Sequence, residues 1–406
     1  MKKNILLLGA LALSMAFVSC SNNDDNKAHE YTTDEAQNLD YTSDNAAAWG
    51  NYAANVALLL QQDAQNLYEQ WSNGYGDAFE SHDGESSDYT SAESCVEQII
   101  DGCIDIANEV GESKIGGPFD LYKAGSTQDA LYAVESWYSW HSRDDYKNNI
   151  LSIANSLLND CISGAPSDLN YRSGIADGSL TMNSIVVKCM TNNNLRAQGI
   201  AVWQAVCTAW DAIDDIPQPF RNNIGSTEAE DAIEACATLV DQLKALKNLI
   251  AKEEGIDWQP VVDEFVEVVA VPTYKDLASK TSALYNAVYS LQKNPSNAAF
   301  EAACEAWLAA RQPWETSEAF LFGPVSELGL DPNMDSWPLD AVGIANLLQS
   351  QNWSSMNWSG EYEELDEDDE DASSDHAKAI AAAQSVRGFH TLEFLLFKNG
   401  SPRTIK

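Results

Sequence analysis

The chain has 406 residues, of which 45% are hydrophobic, and this is enough to form two domains with buried cores. Its 62 acidic residues outnumber its 23 lysines and arginines, which gives a formal net charge of −39. A surface of that sign repels nucleic acid and anionic lipid headgroups. The composition therefore excludes a nucleic-acid-binding protein and favours cations as ligands.

The first 20 residues have the pattern of a bacterial lipoprotein signal peptide. Lys2 and Lys3 precede an apolar run from Ile5 to Val18, which is too short to span a membrane as a mature helix. The run ends at Cys20 in an approximate lipobox, so we predict cleavage before Cys20 and acylation of its amino terminus. The alternative is an ordinary cleaved signal with an incidental cysteine. The pattern predicts a protein of the cell envelope, anchored by lipid to the outer membrane of a Gram-negative bacterium, on its periplasmic or its surface-exposed side.

The next segment, residues 21–43, is polar and poor in apolar residues, and we predict that it is a flexible acidic tether. From residue 44 onward, apolar residues recur every three or four positions almost throughout, which predicts helices and few strands. The prediction is an all-α protein built from two helical bundles. The predicted helices cover about residues 44–72, 92–110, 128–139, 146–162, 194–213, 226–252, 258–268, 273–292, 296–311, 338–350 and 374–398.

The cysteines do not form a recognisable metal or redox motif. Of the eight cysteines, seven remain if Cys20 is acylated, and none belongs to a Cys-x-x-Cys pair. This disfavours zinc ribbons and thioredoxin chemistry. Most of them lie in apolar helical contexts, so we expect them to be small buried hydrophobic residues.

The most informative motif is Gly388-Phe389-His390-Thr391-Leu392-Glu393, close to the C-terminal end. In a helix, His390 and Glu393 project from one face, because side chains three positions apart are neighbours. An imidazole beside a carboxylate binds metals or relays protons, so these two residues are candidate metal ligands. The alternative is a core histidine that is hydrogen-bonded to a nearby acid.

A second set of candidates lies at the end of the predicted helix 296–311. Arg311, Glu315 and Glu318 are spaced at i, i+4 and i+7, which places them on one face if the helix continues past Pro313. They form either a solvated ladder of salt bridges or the flank of an inward-facing site.

These motifs follow one another in the order found in the imelysin-like family. The segments are Ala306-Trp307-Leu308-Ala309-Ala310-Arg311-Gln312-Pro313-Trp314-Glu315-Thr316-Ser317-Glu318-Ala319-Phe320, then Phe322-Gly323-Pro324, Asp335-Ser336-Trp337-Pro338-Leu339-Asp340, and the Gly-x-His-x-x-Glu motif. Over residues 267–406 the chain therefore resembles that family. It departs from the family at Trp314, where a tyrosine is usual, so any hydrogen bond of a hydroxyl group there is lost.

The resemblance also implies an unusual order of the two halves. A second helical half usually follows the Gly-x-His-x-x-Glu motif, whereas here residues 44–72 resemble that later region. Glu135-Ser136-Trp137-Tyr138-Ser139, with Asp144 or Asp145 after it, resembles the Glu-Ser-x-Phe-Ser segment of the second half. We therefore predict a circular permutation, with one bundle domain at residues 44–266 and the other at 267–406. The alternative is an unrelated helical domain at 44–266.

The resemblance implies a site between the two bundles. His390 and Glu393 would bind a metal ion there, and six further residues would support the site: Arg311, Trp314, Glu318, Asp340, Glu135 and Ser139. Asp340 follows Trp337-Pro338 at a predicted helix start, where an acid in the first turn also has a purely structural role. One imidazole with several carboxylates suits iron or zinc.

Three functions follow from these patterns. The resemblance implies bacterial iron uptake, and we predict a lipid-anchored accessory that binds metal, or a metal-loaded ligand, for an uptake system. The first alternative is a zinc metallopeptidase that uses His390 and Glu393, but Phe394 stands where the His-x-x-Glu-His motif needs its second histidine. The second alternative is a lipoprotein that binds a glycan or small organic ligand through Arg311 and tryptophans.

Overall fold

The computed structural model describes residues 29–83, 89–366 and 373–405. Nearly all regular structure in these residues is helical, which confirms the all-α prediction. None of the described helices is long and apolar enough to cross a membrane. The predicted signal peptide, Cys20 and residues 21–28 lie outside the described residues.

The helices follow one another with short connections. In chain order the α-helices are α1 (Thr33–Gln37), α2 (Ala46–Gln70), α3 (Gly76–Ser81), α4 (Ala92–Asn108), α5 (Gly116–Lys123), α6 (Thr127–Tyr132), α7 (Ser142–Leu158), α8 (Tyr171–Asp177), α9 (Ile185–Thr191), α10 (Arg196–Asp215), α11 (Thr227–Ile250), α12 (Gln259–Glu264), α13 (Val271–Lys293), α14 (Asn297–Glu315), α15 (Pro324–Glu327), α16 (Leu330–Asp335), α17 (Ala341–Ser350), α18 (Asp375–Gln384) and α19 (Gly388–Leu396). Three π-helical turns interrupt them, at Trp71–Tyr75, Glu109–Ile115 and Phe265–Ala270.

Two groups of helices pack around one continuous hydrophobic core. Helices α4, α7, α10 and α11 form the first bundle, and α2, α13, α14 and α19 form the second. Most long helices bury an apolar stripe, as the three- and four-residue spacing predicts, whereas α7 is buried on nearly all sides. The helical pattern of the sequence therefore fixes the elements, whereas the grouping of the helices depends on contacts between distant segments.

Helix α2 belongs to the second bundle, although the sequence prediction placed it in a domain at residues 44–266. The indole nitrogen of Trp49 donates a hydrogen bond to the carbonyl oxygen of Leu395 at 2.9 Å. The Tyr52 hydroxyl donates to the carbonyl oxygen of Val386 at 2.7 Å. Both contacts join α2 to the region of α19, so the predicted boundary at residue 266 does not separate the two bundles.

The described part of the predicted tether packs on the body of the protein. Helix α1 begins at a capping box on Thr32, and its Ala36 is buried against Ala341 and Ala345. Asp40 forms ion pairs with Lys398 and Arg403. This corrects the prediction of a flexible tether over residues 29–43, because a few well-placed apolar and charged side chains anchor an otherwise polar segment.

A small hairpin follows α19. Strand β1 (Phe397–Lys398) pairs antiparallel with β2 (Ser401–Pro402), and Asn399 and Gly400 between them both have positive φ. Asn-Gly suits such a tight turn because both residues tolerate that conformation. The N–H of Gly400 donates to the carbonyl oxygen of Tyr138 at 2.9 Å, which holds the hairpin against residues 133–141.

The cysteines are free thiols among the described residues. Cys95, Cys103, Cys189, Cys236 and Cys304 are buried, as predicted. Cys161 is exposed and Cys207 is half-buried, so the prediction holds for most of them but not for all.

Candidate metal site

Helix α19 presents His390 and Glu393 on one buried face, as their spacing predicts. Nδ1 of His390 lies 3.3 Å from Oε2 of Glu393. The other carboxylate oxygen, Oε1, accepts the backbone N–H groups of Tyr138 at 2.9 Å and Ser139 at 2.7 Å. Nε2 of His390 lies on the opposite side of the ring, 3.3 Å from Oδ1 of Asp335. Glu393 thus orients His390 and also fixes the loop at residues 133–141.

Gly388 allows Asp335 to stand beside His390. Its φ is +89°, and a Cβ atom there would lie 2.4 Å from the carbonyl oxygen of Met334. A glycine is needed because both the conformation and the space exclude a side chain. The end of α16 can therefore approach the start of α19, and the Trp337 ring packs edge-on against the His390 ring at 4.7 Å between centroids.

Arg311 on α14 is completely buried and contacts three carboxylates. Its Nε lies 3.3 Å from Oδ2 of Asp145, and its Nη2 lies 2.5 Å from Oε1 of Glu315. Its Nη1 contacts Oδ1 of Asp335. Burial would lower the pKa of Arg311, but these carboxylates, with Asp335 foremost, raise it well above its ordinary value. The guanidinium is therefore a permanent positive charge at the centre of the site.

The side chains of Trp314 and Arg311 hold Asp335 in place. The indole nitrogen of Trp314 donates to its Oδ2 at 2.7 Å, so the tryptophan at this position does supply a hydrogen bond. Burial favours a higher pKa for Asp335, but Arg311 and His390 hold the pKa below its ordinary value. Asp335 is therefore ionised and oriented.

Glu318 is a buried carboxylate for which the described residues supply no hydrogen-bond or ion-pair partner. It lies in the 3₁₀ turn Glu318–Phe320 and is 7% exposed. Within the described residues, its carboxylate makes no hydrogen bond or ion pair. Burial raises the pKa of Glu318 well above its ordinary value; Lys114 opposes this rise and Glu315 adds to it. Oxygen atoms of Glu315, Glu318 and Asp335 lie within 4.8 Å of one another.

Lys114 supplies a second buried positive charge. It lies in the π-helical turn Glu109–Ile115, and its Nζ is 3.0 Å from Oε2 and 3.2 Å from Oε1 of Glu135. The same Nζ is 3.2 Å from Oε1 of Glu109. Burial would lower the pKa of Lys114, but Glu135 and Glu109 raise it well above its ordinary value. The carboxylate of Glu135 is thus directed to Lys114 and not to His390.

The cluster contains more carboxylates than cationic groups. Its eight carboxylates are those of Glu109, Glu135, Asp145, Glu315, Glu318, Asp331, Asp335 and Glu393. Among the described residues, Arg311 and Lys114 are the permanent cations that stand between them. Burial and the neighbouring Asp335 raise the pKa of Asp331 to about 7. Buried negative charge of this kind is relieved either by protons or by a multivalent cation.

The donor atoms fit a hard or borderline cation. Carboxylate oxygens suit such ions, and one imidazole nitrogen extends the range to iron and zinc. Metal–oxygen distances of about 2.0–2.2 Å place two ligands of one ion up to about 4 Å apart. Small movements of Glu315, Glu318 and Asp335 would therefore bring them around one ion, with Nε2 of His390 close by.

The structure brings seven of the eight predicted site residues into one cluster. Arg311, Trp314, Glu318, His390 and Glu393 contribute side chains to its centre, Glu135 lies beside Lys114, and Ser139 contributes its backbone N–H. Asp340 is the exception. Its Oδ1 accepts the N–H of Gly343 at 2.8 Å, so it is the N-terminal cap of α17 rather than a residue of its first turn.

Sequence reasoning missed several residues of the cluster. Asp335 and Asp145 stand in segments that carry the family resemblance, and their positions beside Trp337 and after Ser139 were the available signal. Lys114 has no such signal, because nothing in the spacing connects it with Glu135. The cluster joins α7 and the preceding loop to α14, α16 and α19, which meet only in the folded chain.

Helical bundles that meet around a buried His-x-x-Glu pair define the class of protein. The family described as Imelysin matches residues 24–249 and 270–406, so the chain belongs to the imelysin family. A solved structure of an imelysin peptidase from Bacteroides ovatus is 49% identical, with a TM-score of 0.81, over 91% of this chain and 100% of that chain. Iron-regulated protein A from Synechococcus elongatus is 41% identical over 83 residues, which is 20% of this chain and 23% of that relative. The chain thus spans less than a quarter of the length of that curated relative.

Proposed function

We propose that this protein binds a metal ion of the iron class and serves as an exported, lipid-anchored accessory in iron uptake. The observation that carries the proposal is Glu318, a buried carboxylate that has no partner in the described part of the chain and lies within 4.8 Å of Glu315 and Asp335. Arg311 already pairs with Glu315 and Asp335, so a cation between the three carboxylates would add the positive charge beside Glu318. The name of the Synechococcus relative supports iron as the metal.

In this proposal His390 and Glu393 have different roles. Glu393 orients the imidazole through Nδ1, and Nε2 faces Asp335 at 3.3 Å and the Arg311 guanidinium at 3.5 Å, where it would exchange these contacts for the metal ion. Carboxylates that fix the free nitrogen of a metal-binding histidine in this way are common. The sequence prediction made both residues ligands, whereas we now assign Glu393 a positioning role because its other oxygen is used by two backbone N–H groups.

The proposed location depends on Cys20, outside the described residues. The signal pattern and the lipobox support export and acylation at that position. We expect the Cys20→Ala variant to lose incorporation of a labelled fatty acid and to leave the membrane fraction, with the unchanged chain as the reference. Labelling that survives this substitution would contradict the anchor.

The metallopeptidase alternative has support from the name of the Bacteroides ovatus protein. This alternative requires Glu393 as a metal ligand or a general base, although one of its oxygens accepts two backbone N–H groups and the other contacts His390. Turnover of a peptide substrate that disappears in the His390→Ala variant would favour this alternative over the carrier.

A glycan site at Arg311 and Trp314 has less support, because both side chains are completely buried.

The test is calorimetric titration of the protein from residue 21 onward with Fe(II), under anaerobic conditions, and with Zn(II). We expect one ion per chain and an affinity about tenfold or more lower in the Glu318→Gln variant, because one charged ligand is removed. Glu305→Gln, an exposed acid on the same α14, is the matched control and should bind like the wild type. Equal affinity of the Glu318→Gln variant and the wild type would sink the proposal.

A further inference from the structure

A second polar and aromatic surface lies on the outer side of the loop at residues 133–141. The guanidinium of Arg221, in the 3₁₀ turn Phe220–Asn222, lies 4.0 Å from the centroid of the Trp137 ring. It lies 5.9 Å from the ring of Trp140. These three side chains stand outside the buried carboxylate cluster and have no part in the metal site proposed above.

Among the described residues, Arg221 forms no ion pair with an acidic side chain, although the chain has 62 acidic residues. Its Nη1 donates to the carbonyl oxygen of Trp137 at 3.0 Å. No carboxylate within the described part of the chain lies within ion-pair distance of it. Burial lowers the pKa of Arg221 below its ordinary value, and Tyr138, Tyr132 and Glu393 offset this effect only in part. The guanidinium therefore still has donor groups to offer.

Two buried donors at this place lack an acceptor. Nε of Arg221 and the indole nitrogen of Trp137 are both buried, and neither makes a hydrogen bond within the described residues. Buried donors are almost always paired, so two neighbouring donors that lack an acceptor among the described residues mark a place that suits an added acceptor. A carboxylate has two oxygens and matches the planar guanidinium better than any other common acceptor.

Trp140 is presented to solvent in a fixed position. Its φ is +64°, and 36% of its surface is exposed. Its ring lies against Gly400, where a Cβ atom would stand 2.4 Å away, and the Gly400 N–H holds the carbonyl oxygen of Tyr138. An exposed indole that is held rigidly offers apolar area at little cost in side-chain entropy.

We propose that Arg221, Trp137 and Trp140 form a binding site for a small organic carboxylate. The carboxylate pairs with the free edge of the Arg221 guanidinium, and the ring or carbon skeleton of the ligand packs on Trp140. Positive charge, unpaired donors and a flat apolar face then meet in one place. The assignment does not depend on the metal site, since it uses none of the residues of that site.

The experiment is ligand-observed saturation-transfer NMR with benzoate as the probe and benzyl alcohol as the neutral counterpart, in protein kept metal-free with a chelator. We expect wild type to bind benzoate in preference to benzyl alcohol. Arg221→Lys keeps the charge but loses the planar donor fork, and should raise the Kd for benzoate about tenfold or more. Trp140→Ala removes a partly exposed ring at the surface, so it tests the apolar face of the same site, and circular dichroism checks that the variant folds.

The matched control is Arg172→Gln, because Arg172 is an exposed arginine that lies 5.7 Å from the Tyr171 ring elsewhere on the surface. It should bind benzoate like the wild type. Wild type that fails to bind benzoate would overturn the inference. So would an Arg221→Lys or Trp140→Ala variant, folded by circular dichroism, that binds as tightly as the Arg172→Gln control.

Discussion

Glu393 joins three parts of the chain through one carboxylate, since it contacts His390 and the backbone of Tyr138 and Ser139. Hydrogen bonds to a buried charged group contribute about 1.5–3 kcal/mol. We therefore expect Glu393→Gln, which replaces one acceptor oxygen by a donor, to lower the free energy of unfolding by about 2–3 kcal/mol. Urea denaturation measures the change. Glu301→Gln, an exposed acid on α14, is the control, and equal stability of the two variants would contradict the role given to Glu393.

Asp331 makes stability depend on pH. Its pKa is raised from an ordinary value of 3.8 to about 7, so between these values the folded protein holds a proton that the unfolded chain has lost. The free energy of unfolding therefore falls as pH rises through this window. Relative to wild type, Asp331→Asn should gain about 1–3 kcal/mol in stability between pH 4 and pH 8.

Urea midpoints of wild type and Asp331→Asn across that pH range provide the measurement. Asp241→Asn, at an exposed acid on α11, is the control, and its urea midpoint should change with pH as that of the wild type does. A difference between Asp331→Asn and wild type that stays constant with pH would show that the carboxyl of Asp331 does not titrate in this window.

At the scale of single residues, the sequence predicts the contacts that depend only on spacing along one helix. The three-residue interval puts His390 and Glu393 on one face, and the structure confirms their contact. It does not predict that Lys114 meets Glu135 or that Asp145 meets Arg311, because those pairs depend on how distant helices pack. The choice between a buried network and a ligand site at His390 also depends on Glu318, and its lack of a partner among the described residues is visible only in the folded chain.

At the scale of elements, glycine decides where one predicted helix becomes two. The helix predicted at residues 374–398 is divided into α18 and α19 at Gly388, which has a φ of +89°. Gly388→Ala should lower the free energy of unfolding by about 2–4 kcal/mol, because a left-handed conformation alone costs about 1–2 kcal/mol and the new Cβ would press on Met334.

Thermal and urea unfolding of Gly388→Ala provide the measurement. Gly178→Ala is the matched control, because Gly178 also has a positive φ of +76° but has open space around its Cβ position. The free energy of unfolding of Gly178→Ala should fall only by the cost of the left-handed conformation, about 1 kcal/mol. If both variants lose the same stability, the close approach of α16 to α19 does not matter.

Other elements departed from their predicted bounds for reasons of packing. The helix predicted at 128–139 ends at Tyr132, and the residues after it adopt an irregular path with Ser136 at a φ of +48°. That path directs two backbone N–H groups to Glu393. Helix propensity cannot predict it, because it depends on a contact with a distant part of the chain.

At the scale of the whole molecule, the second bundle needs a helix from the N-terminal part of the chain. Helix α2 packs between α13 and α19 and donates two buried hydrogen bonds to the α19 region. We therefore expect a fragment of residues 267–406 to lack cooperative unfolding when it is produced alone. Addition of a peptide of residues 44–72 should restore it, and circular dichroism with thermal unfolding measures both states.

A fragment of residues 267–406 that folds cooperatively alone would restore the predicted boundary between the domains. The circular permutation itself stays a prediction. It would explain why a helix near residue 50 completes a bundle whose other members follow residue 270.

The central claim is that Glu315, Glu318 and Asp335 hold a metal ion beside His390. Anomalous diffraction at the iron absorption edge, from crystals of protein grown with Fe(II) under anaerobic conditions, tests it most directly. We expect one strong anomalous peak within about 2.5 Å of oxygens from all three carboxylates, and no peak in crystals of the Glu318→Gln variant. Fully loaded protein with its peak elsewhere, or crystals that stay metal-free at saturating Fe(II), would contradict it.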